Sequence, residues 1–271
     1  MRTMRRIACV SQMVLFFCLV ATNVPAQEFT PSIGQEGKDV IWVPTPDSLI
    51  EAMLDMAKVT PQDRVYDLGS GDGRIVIAAA RRGARATGIE FNEDMVALSR
   101  RGSEKAGVAD RATFVQADIF ESDFRDATVL TMYLLPHLNL KLRPAILDLN
   151  PGTRVVSHAF TMEDWAADQT VEQEGRTAYL WSVPAKVEGT WKCSLPSGGG
   201  EIVLTQRFQE IRGALKKDGA ETALRDAELR GNRIHFAVNG ATYDGAVNGR
   251  TMEGTVTADA RQGRWLAERV E

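Results

Sequence analysis

The sequence predicts an α/β domain on a doubly wound parallel sheet, followed by a small all-β antiparallel domain. Three observations carry that prediction. From Arg64 onward, short apolar runs alternate with segments of helical spacing, the grammar of a parallel sheet with helices on its faces. A glycine-rich turn, Gly69-Ser70-Gly71-Asp72-Gly73, separates the first apolar run from the helical segment after it. Beyond 184–188 the helical spacing stops, and short alternating runs are punctuated by Asp-Gly, Gly-Asn and Asn-Gly pairs, which mark hairpins. At 271 residues, 44% of them hydrophobic, the chain is long and apolar enough for one large domain plus a small one.

Residues 1–26 are a separate object. Arg2, Arg5 and Arg6 make a basic start, 7–20 is a mostly apolar run too short for a comfortable membrane span, and Val24-Pro25-Ala26 ends on a small residue. This is the pattern of a secretory signal peptide. It places the protein in the periplasm or outside the cell if cleaved, and makes it membrane-anchored if not. No stable membrane span is expected after cleavage. Cys9 and Cys18 fall within the leader, so Cys193 is left without an intramolecular disulfide partner. No Cys/His cluster has metal-ligand spacing, and no metal is expected.

Residues 27–42 are a polar, Gly-containing lead-in, expected to be mobile. The first domain spans 43–184. Thr45 can cap a helix with Pro46 at its first position, and Leu49, Ile50, Met53, Leu54 and Ala57 follow at helical spacing. A strand over 64–68 leads into a helix over 74–82 that stops at Gly83. A strand over 85–90 precedes a helix capped by Asn92, with Glu93 and Asp94 favourably placed in its first turn. Strands follow over 112–118 and 128–134, then a helix over 144–149, a strand over 153–160, and a closing pair over 171–173 and 177–183. In the second domain, 187–271, strands are expected over 187–193, 201–208, 223–229, 233–238, 243–247, 252–257 and 264–268. They form a small antiparallel meander, either barrel or sandwich.

The chemistry is carried by Val65-Tyr66-Asp67-Leu68-Gly69-Ser70-Gly71-Asp72-Gly73-Arg74. Glycines let the backbone turn tightly and approach a ligand, and the helix after them offers free N–H groups. A dinucleotide site needs Gly-x-Gly-x-x-Gly, but position 74 is Arg, and Asp67 and Asp72 would repel a pyrophosphate. No Gly-Lys-Ser/Thr follows, which excludes a Walker loop. The acids suit a ligand bearing an ammonium and a sulfonium, as S-adenosylmethionine (SAM) does. Glu90, ending the second strand, can accept from both ribose hydroxyls. Asp118, ending the third, can accept from the adenine amino group, with Ile119 against the ring. All three acids lie at the carboxyl ends of parallel strands, where open α/β sheets bind ligands.

Residues 43–165 resemble the class I SAM-dependent methyltransferases. Within them they resemble a bacterial group related to the protein-lysine methyltransferases of mitochondrial carrier type. The shared elements are Val43-Pro44-Thr45-Pro46, Asp67-Leu68-Gly69-Ser70-Gly71-Asp72-Gly73-Arg74-Ile75-Val76 and Gly88-Ile89-Glu90-Phe91-Asn92. The resemblance implies a Rossmann-like seven-stranded methyltransferase sheet with its last strand antiparallel. It implies SAM as methyl donor and an acceptor that is a protein lysine or a small molecule. It implies that Asp67, Gly69, Gly71, Asp72, Glu90 and Asp118 line the cofactor site. Ser70, Gly73, Phe91 and Ile119 beside them, and Thr45 over the methionine end, complete the candidate set. In such enzymes the end of the fourth strand faces the transferred methyl. Here it reads Met132-Tyr133-Leu134-Leu135-Pro136-His137, a departure from the Asn/Asp-Pro-Pro-Tyr/Phe motif of enzymes that methylate amide or ring nitrogens.

Tyr133 and His137 are therefore the catalytic candidates. Tyr133 can orient an acceptor or polarise the sulfonium, or simply pack on cofactor or core. His137 and His158 sit near strand ends where a general base would stand, or serve as structural histidines. Trp42 and Trp165 line an acceptor pocket or belong to the core, and His235, within an alternating strand, has no expected catalytic role. The formal charge of −4, with no Lys/Arg block in the body of the chain, lacks the footprint of a nucleic-acid binder. Two other classes remain. One is an exported SAM-fold binding protein without transfer activity, whose β domain recognises a partner. The other is a dinucleotide-dependent reductase, weakened by Arg74 and the acidic loop.

Overall fold

The alternating runs resolve into two sheets, one of seven strands and one of nine. The computed structural model describes residues 29–195 and 198–270; residues 1–26, for which a leader is expected, lie with Cys9 and Cys18 outside the described residues. The first sheet is assembled from α1 (Asp47–Met56), β1 (Arg64–Leu68), α2 (Arg74–Arg81), β2 (Arg85–Glu90), α3 (Glu93–Lys105), β3 (Ala112–Gln116), β4 (Val129–Met132), α4 (Pro136–Leu147), β5 (Arg154–His158), β6 (Gln169–Gln173) and β7 (Arg176–Ser182). Its strand order is β3-β2-β1-β4-β5-β7-β6. The first five strands are parallel, and β7 runs antiparallel to both neighbours. The order reverses between β1 and β4, so the carboxyl ends of these strands flank a crevice, the position where open sheets bind ligands.

The central strands are buried on both faces, which is why they read as apolar runs rather than alternations. All four residues of β4 are buried. One face packs against α1, α2 and α3 through Leu49, Met53, Ile75, Val76 and Val96. The other carries α4, whose Leu138, Leu142 and Ile146 meet Leu130 and Val155. It also carries Trp165 and Trp181, and Phe208 of the β domain stacks on Trp165 at 5.7 Å.

Several sequence expectations shift. The helix placed over 144–149 is α4, beginning at Pro136. Pro136 takes the first helical position, where its missing N–H costs nothing, and Pro144 is tolerated in the interior at the loss of one helical hydrogen bond. Two prolines offer a start signal, and the earlier one wins because Leu138 and Leu142 have a sheet face to cover. Thr45 does not cap α1: Pro46 is the N-cap, with no side-chain cap bond, and the Thr45 hydroxyl pairs with His158 instead. Asn92 does cap α3, accepting from the Met95 N–H at 3.1 Å. Within the lead-in, residues 34–42 follow a hairpin-like path, with Gly34 N–H donating to the Trp42 carbonyl and Trp42 N–H to that of Gln35, each at 2.9 Å.

The second sheet contains β8 (Gly189–Leu195), β9 (Gly198–Arg207), β10 (Glu210–Lys217), β11 (Ala220–Ala223), β12 (Arg225–Arg230), β13 (Arg233–Val238), β14 (Ala241–Asn248), β15 (Thr251–Ala258) and β16 (Arg261–Arg269), all antiparallel and nearly barrel-shaped. The sequence pattern does not announce β10 and β11. On β10 the inward positions are Ile211, Gly213 and Leu215, and the glycine masks the alternation. A Cβ there would stand 2.2 Å from the Val203 carbonyl oxygen, so only glycine lets the strands approach. The predicted turns carry the left-handed backbone that tight hairpins need, as at Asp218-Gly219 and Asn239-Gly240. The interior is filled by Trp191, Phe236, Tyr243 and Trp265, with Phe236 stacked on Tyr243 at 4.8 Å.

The two sheets are joined by more than the connecting chain. Asp164 receives Arg143 at 2.6 Å and Arg207 at 3.1 Å, and Gln209 donates to the Ala166 carbonyl at 2.8 Å. Among the described residues no His/Cys/Asp/Glu group is placed to hold a metal, and no helix is long and apolar enough to cross a membrane.

Candidate active site

A cavity of about 670 Å³ opens along the carboxyl ends of β3, β2, β1, β4 and β5. The strand order fixes the order of its walls. Asp118 and Ile119 stand at one end, Glu90 and Phe91 come next, the glycine turn lies in the middle, and Tyr133, Leu135 and Phe160 form the far end. Of the candidate cofactor residues, Thr45, Asp67, Gly69, Ser70, Gly71, Asp72, Glu90, Phe91, Asp118 and Ile119 line it; Gly73 does not. Gly73 serves packing, since a Cβ on its left-handed backbone would stand 2.7 Å from the Ser99 Cβ and 2.6 Å from the Phe114 ring.

The glycine turn is held open by its neighbours. Gly71 N–H donates to one Glu90 carboxylate oxygen and Asn92 N–H to the other, each at 2.9 Å. Each oxygen keeps a further lone pair for a donor in the cavity. The Ser99 hydroxyl donates to the Gly71 carbonyl at 3.0 Å, fixing the turn from below. Gly71 is required from above as well, because a Cβ there would lie 2.7 Å from the Trp42 Nε1.

Asp67 is 3% exposed and accepts from the Thr131 hydroxyl at 2.7 Å. Burial, opposed by that bond and reinforced by Glu90 and Asp72, pushes its carboxyl up to about 7. A cation beside it would restore the ionised form. Asp72 differs from the sequence expectation. Its carboxylate is paired with Arg74, with Nη2 to Oδ2 at 2.6 Å, so its charge is largely compensated. The same guanidinium donates to the Thr45 carbonyl at 3.1 Å and ties the turn to the segment covering the cavity. Asp118 pairs with Lys38, which also lies over the Phe91 ring at 4.9 Å, and this pairing holds its carboxyl below the usual range.

Of the two catalytic candidates, Tyr133 faces the cavity and His137 does not. His137 is exposed on the first turn of α4, turned outward once the helix begins at Pro136. His158 is 1% exposed and behind the wall. Its Nδ1 lies 3.0 Å from the Thr45 hydroxyl, and its ring is 3.8 Å from that of Tyr133. Burial, aided by the charge of Arg176, pulls its pKa down to about 4, so it is a neutral structural partner. Trp42 lines the cavity, whereas Trp165 is core. His235 pairs with Asp244 on the surface at 2.8 Å.

Sequence reasoning misses Phe160, Lys38, Asn139 and the anchoring part of Arg74. Ala159, with φ +65°, turns the chain after β5 so that Phe160 reaches the cavity. Buried Asn139 donates to the Phe160 and Thr161 carbonyls at 3.4 and 3.3 Å and secures that turn. An alanine in the left-handed region leaves no sequence signal, and a lone lysine in a polar lead-in leaves none either.

The family model for an ANTKMT methyltransferase domain matches residues 67–169. A protein-lysine N-methyltransferase of Saccharolobus islandicus is 42% identical over 151 residues, covering 53% of this chain and 94% of that protein. The adenine nucleotide translocase lysine N-methyltransferase of Mus musculus is 28% identical over 176 residues, covering 64% of this chain and 72% of its own length. Among solved structures, an RNA methyltransferase from Salinibacter ruber in complex with S-adenosyl-L-homocysteine (SAH) is 53% identical, with a TM-score of 0.53, covering 54% of this chain and 96% of that one. The glycine turn between β1 and α2, the acids at the ends of β1, β2 and β3, and a match over nearly the whole Saccharolobus protein lead to one conclusion: the chain belongs to the class I SAM-dependent methyltransferases, in the group related to the carrier-type protein-lysine methyltransferases.

Proposed function

We propose that the protein transfers a methyl group from SAM to a lysine side chain of a protein. The observation that carries this reading is the far end of the cavity, where Tyr133, Leu135, Leu138 and Phe160 make an aromatic and apolar wall beside Thr45. A lysine stem is apolar along its length and matches such a wall. Desolvation there disfavours the ammonium form and promotes the free amine that must attack. The names of the Saccharolobus and mouse relatives point the same way.

The residues present fit SAM. Asp67 is a buried carboxyl with Thr131 as its side-chain partner, and Glu90 presents free lone pairs to a ribose diol. Asp118 and Ile119 form an end suited to a base bearing an amino group. SAM supplies a methyl on a positively charged sulfur. The chain orients that methyl and excludes water, with Thr45 held from two sides and Tyr133 backed by His158. Rate comes from placing donor and acceptor in line in a dry site.

RNA is the competing acceptor, because the Salinibacter neighbour is an RNA methyltransferase. The net charge of −4 argues against it. Incubation with tritiated SAM and separate protein and RNA fractions distinguishes the two. Label recovered as methyl-lysine after acid hydrolysis supports the proposal; label confined to RNA overturns it. SAM binding without transfer to either would favour the non-catalytic binding reading. We further propose that 1–26 is an export leader, supported by its basic start and short apolar run. The amino terminus of the mature protein, read by mass spectrometry, tests it.

A further inference from the structure

The segment 35–45 roofs the cavity and places a lysine where a base amino group has to go. Lys38 pairs with the Asp118 carboxylate and lies over the Phe91 ring at 4.9 Å. Asp118 has one other side-chain tie, Oδ1 to the Phe120 N–H at 2.9 Å, so Lys38 takes the oxygen left over. The hairpin bonds within 34–42 make the segment a unit. Its carboxyl-terminal end is fixed, because Arg74 holds the Thr45 carbonyl and His158 the Thr45 hydroxyl. Its tip is held over the cavity by weaker means: Lys38, and Gln35 with a 3.8 Å contact to the Met95 sulfur.

We infer that Lys38 is a latch at the adenine end of the cofactor site, holding segment 35–45 closed over the cleft and yielding Asp118 to the base amino group when SAM enters. This rests on the assignment of Asp118 and Ile119, with Phe91 beside them, to the adenine end. Lys38 lies over Phe91 and against Asp118, in the space a base bonded to Asp118 would fill, so cofactor binding carries the cost of displacing the lysine. The ion pair is partly solvent-exposed, with 34% and 19% of the side-chain surfaces accessible, so salt weakens it.

The test is calorimetric and stopped-flow titration of the full chain with SAH, comparing wild type, Lys38→Met and Lys38→Arg. Trp42 supplies the signal: it is the half-buried tryptophan on the moving segment, whereas Trp165, Trp181, Trp191 and Trp265 are buried in the two cores. A latch predicts that Lys38→Met binds SAH roughly threefold to fivefold tighter, as expected for loss of an exposed ion-pair competitor, with the gain in the association rate. Lys38→Arg stays near wild type. Raising salt from about 50 to 500 mM speeds association in wild type and not in Lys38→Met. Equal or weaker binding by Lys38→Met, in a variant whose melting temperature is unchanged, overturns the latch and makes Lys38 a bystander or a direct cofactor contact. Absence of SAH binding in all three proteins would instead bring down the cofactor assignment itself, and the latch with it.

Discussion

The seven-stranded sheet ends in a cavity ringed by carboxylates, whereas the nine-stranded sheet closes on stacked aromatic rings. The buried polar and charged side chains among the described residues run from Thr45 to His158, all in the first region. The β region buries Trp191, Phe236, Tyr243 and Trp265 with the apolar ends of its strands. In one region burial is used against stability: Asp67 is kept away from water, and Ala159 is held in an unfavourable backbone region. In the other, the inward side chains follow the local rules, and left-handed residues such as Asn239 and Ala260 fall in turns between strands. A ligand site is where local rules are broken, and the rest of the molecule has to absorb the cost.

The largest effect that would sharpen this contrast is on stability. Trp265→Ala, removing a ring packed edge-on against Phe236 and Tyr243, is expected to cost about 4 kcal/mol. SAH affinity measured well below the melting temperature should be unchanged. A loss of affinity in that variant would show that the β core and the cavity are energetically coupled. The converse change is Glu90→Ala, expected to weaken SAH binding by about 100-fold, or about 2.7 kcal/mol, through loss of a charged acceptor and of the bonds that fix Gly71. Its melting temperature should fall by only a few degrees; unaltered affinity would remove Glu90 from the site.

The joint between the regions gives an intermediate effect. Phe208, in the turn between β9 and β10, is half-buried on Trp165 and carries φ +55°. Phe208→Ala should destabilise the α/β region by about 2 kcal/mol, with Trp165 emission shifting red as the ring becomes exposed. A full-strength β region with an unchanged Trp165 spectrum would make the contact incidental. We also propose that 187–271 folds alone; a cooperative thermal transition in the isolated fragment, followed by circular dichroism, is the expected result.

The smallest effect is on pH dependence. Asp67 has its carboxyl raised to about 7, so the folded protein holds this proton more tightly than the unfolded chain does. Its contribution to stability is fully present below about pH 4 and is lost as pH rises to about 7. Binding of a cation next to Asp67 requires the ionised form. SAM affinity should therefore weaken by up to about tenfold per pH unit as pH falls below 7, with proton release on binding seen in buffers of different ionisation enthalpy. Asp67→Asn should flatten that profile and raise stability above pH 7. A pH-independent wild-type affinity between pH 5.5 and 8 would separate Asp67 from the ligand's charge.

The sequence is most readable where chemistry constrains backbone. The glycine turn, the acids at the ends of β1 and β2, and the Asn92 cap all fall where the pattern puts them, because a tight turn and a helix start demand particular residue types. The α4 boundary is misread because Pro136 and Pro144 offer equal local signals, and only tertiary packing chooses between them. β10 is hidden by a glycine at an inward position. The charge argument at Asp72 fails because Arg74 lies two residues away and neutralises it. What the sequence cannot show is which distant groups meet: Lys38 on Asp118, His158 on Thr45, and Phe208 on Trp165.

In the nine-stranded sheet, β8 hydrogen-bonds on one side to β9, its successor in the chain, and on the other to β16. The ribosome makes β8 long before it makes β16. During synthesis the cofactor half can therefore fold first, while β8 waits with an unsatisfied edge that other strands could join. A frameshift or proteolytic cut within 261–269 would leave that edge permanently open. Any nascent chain that lacks β16 carries that open edge.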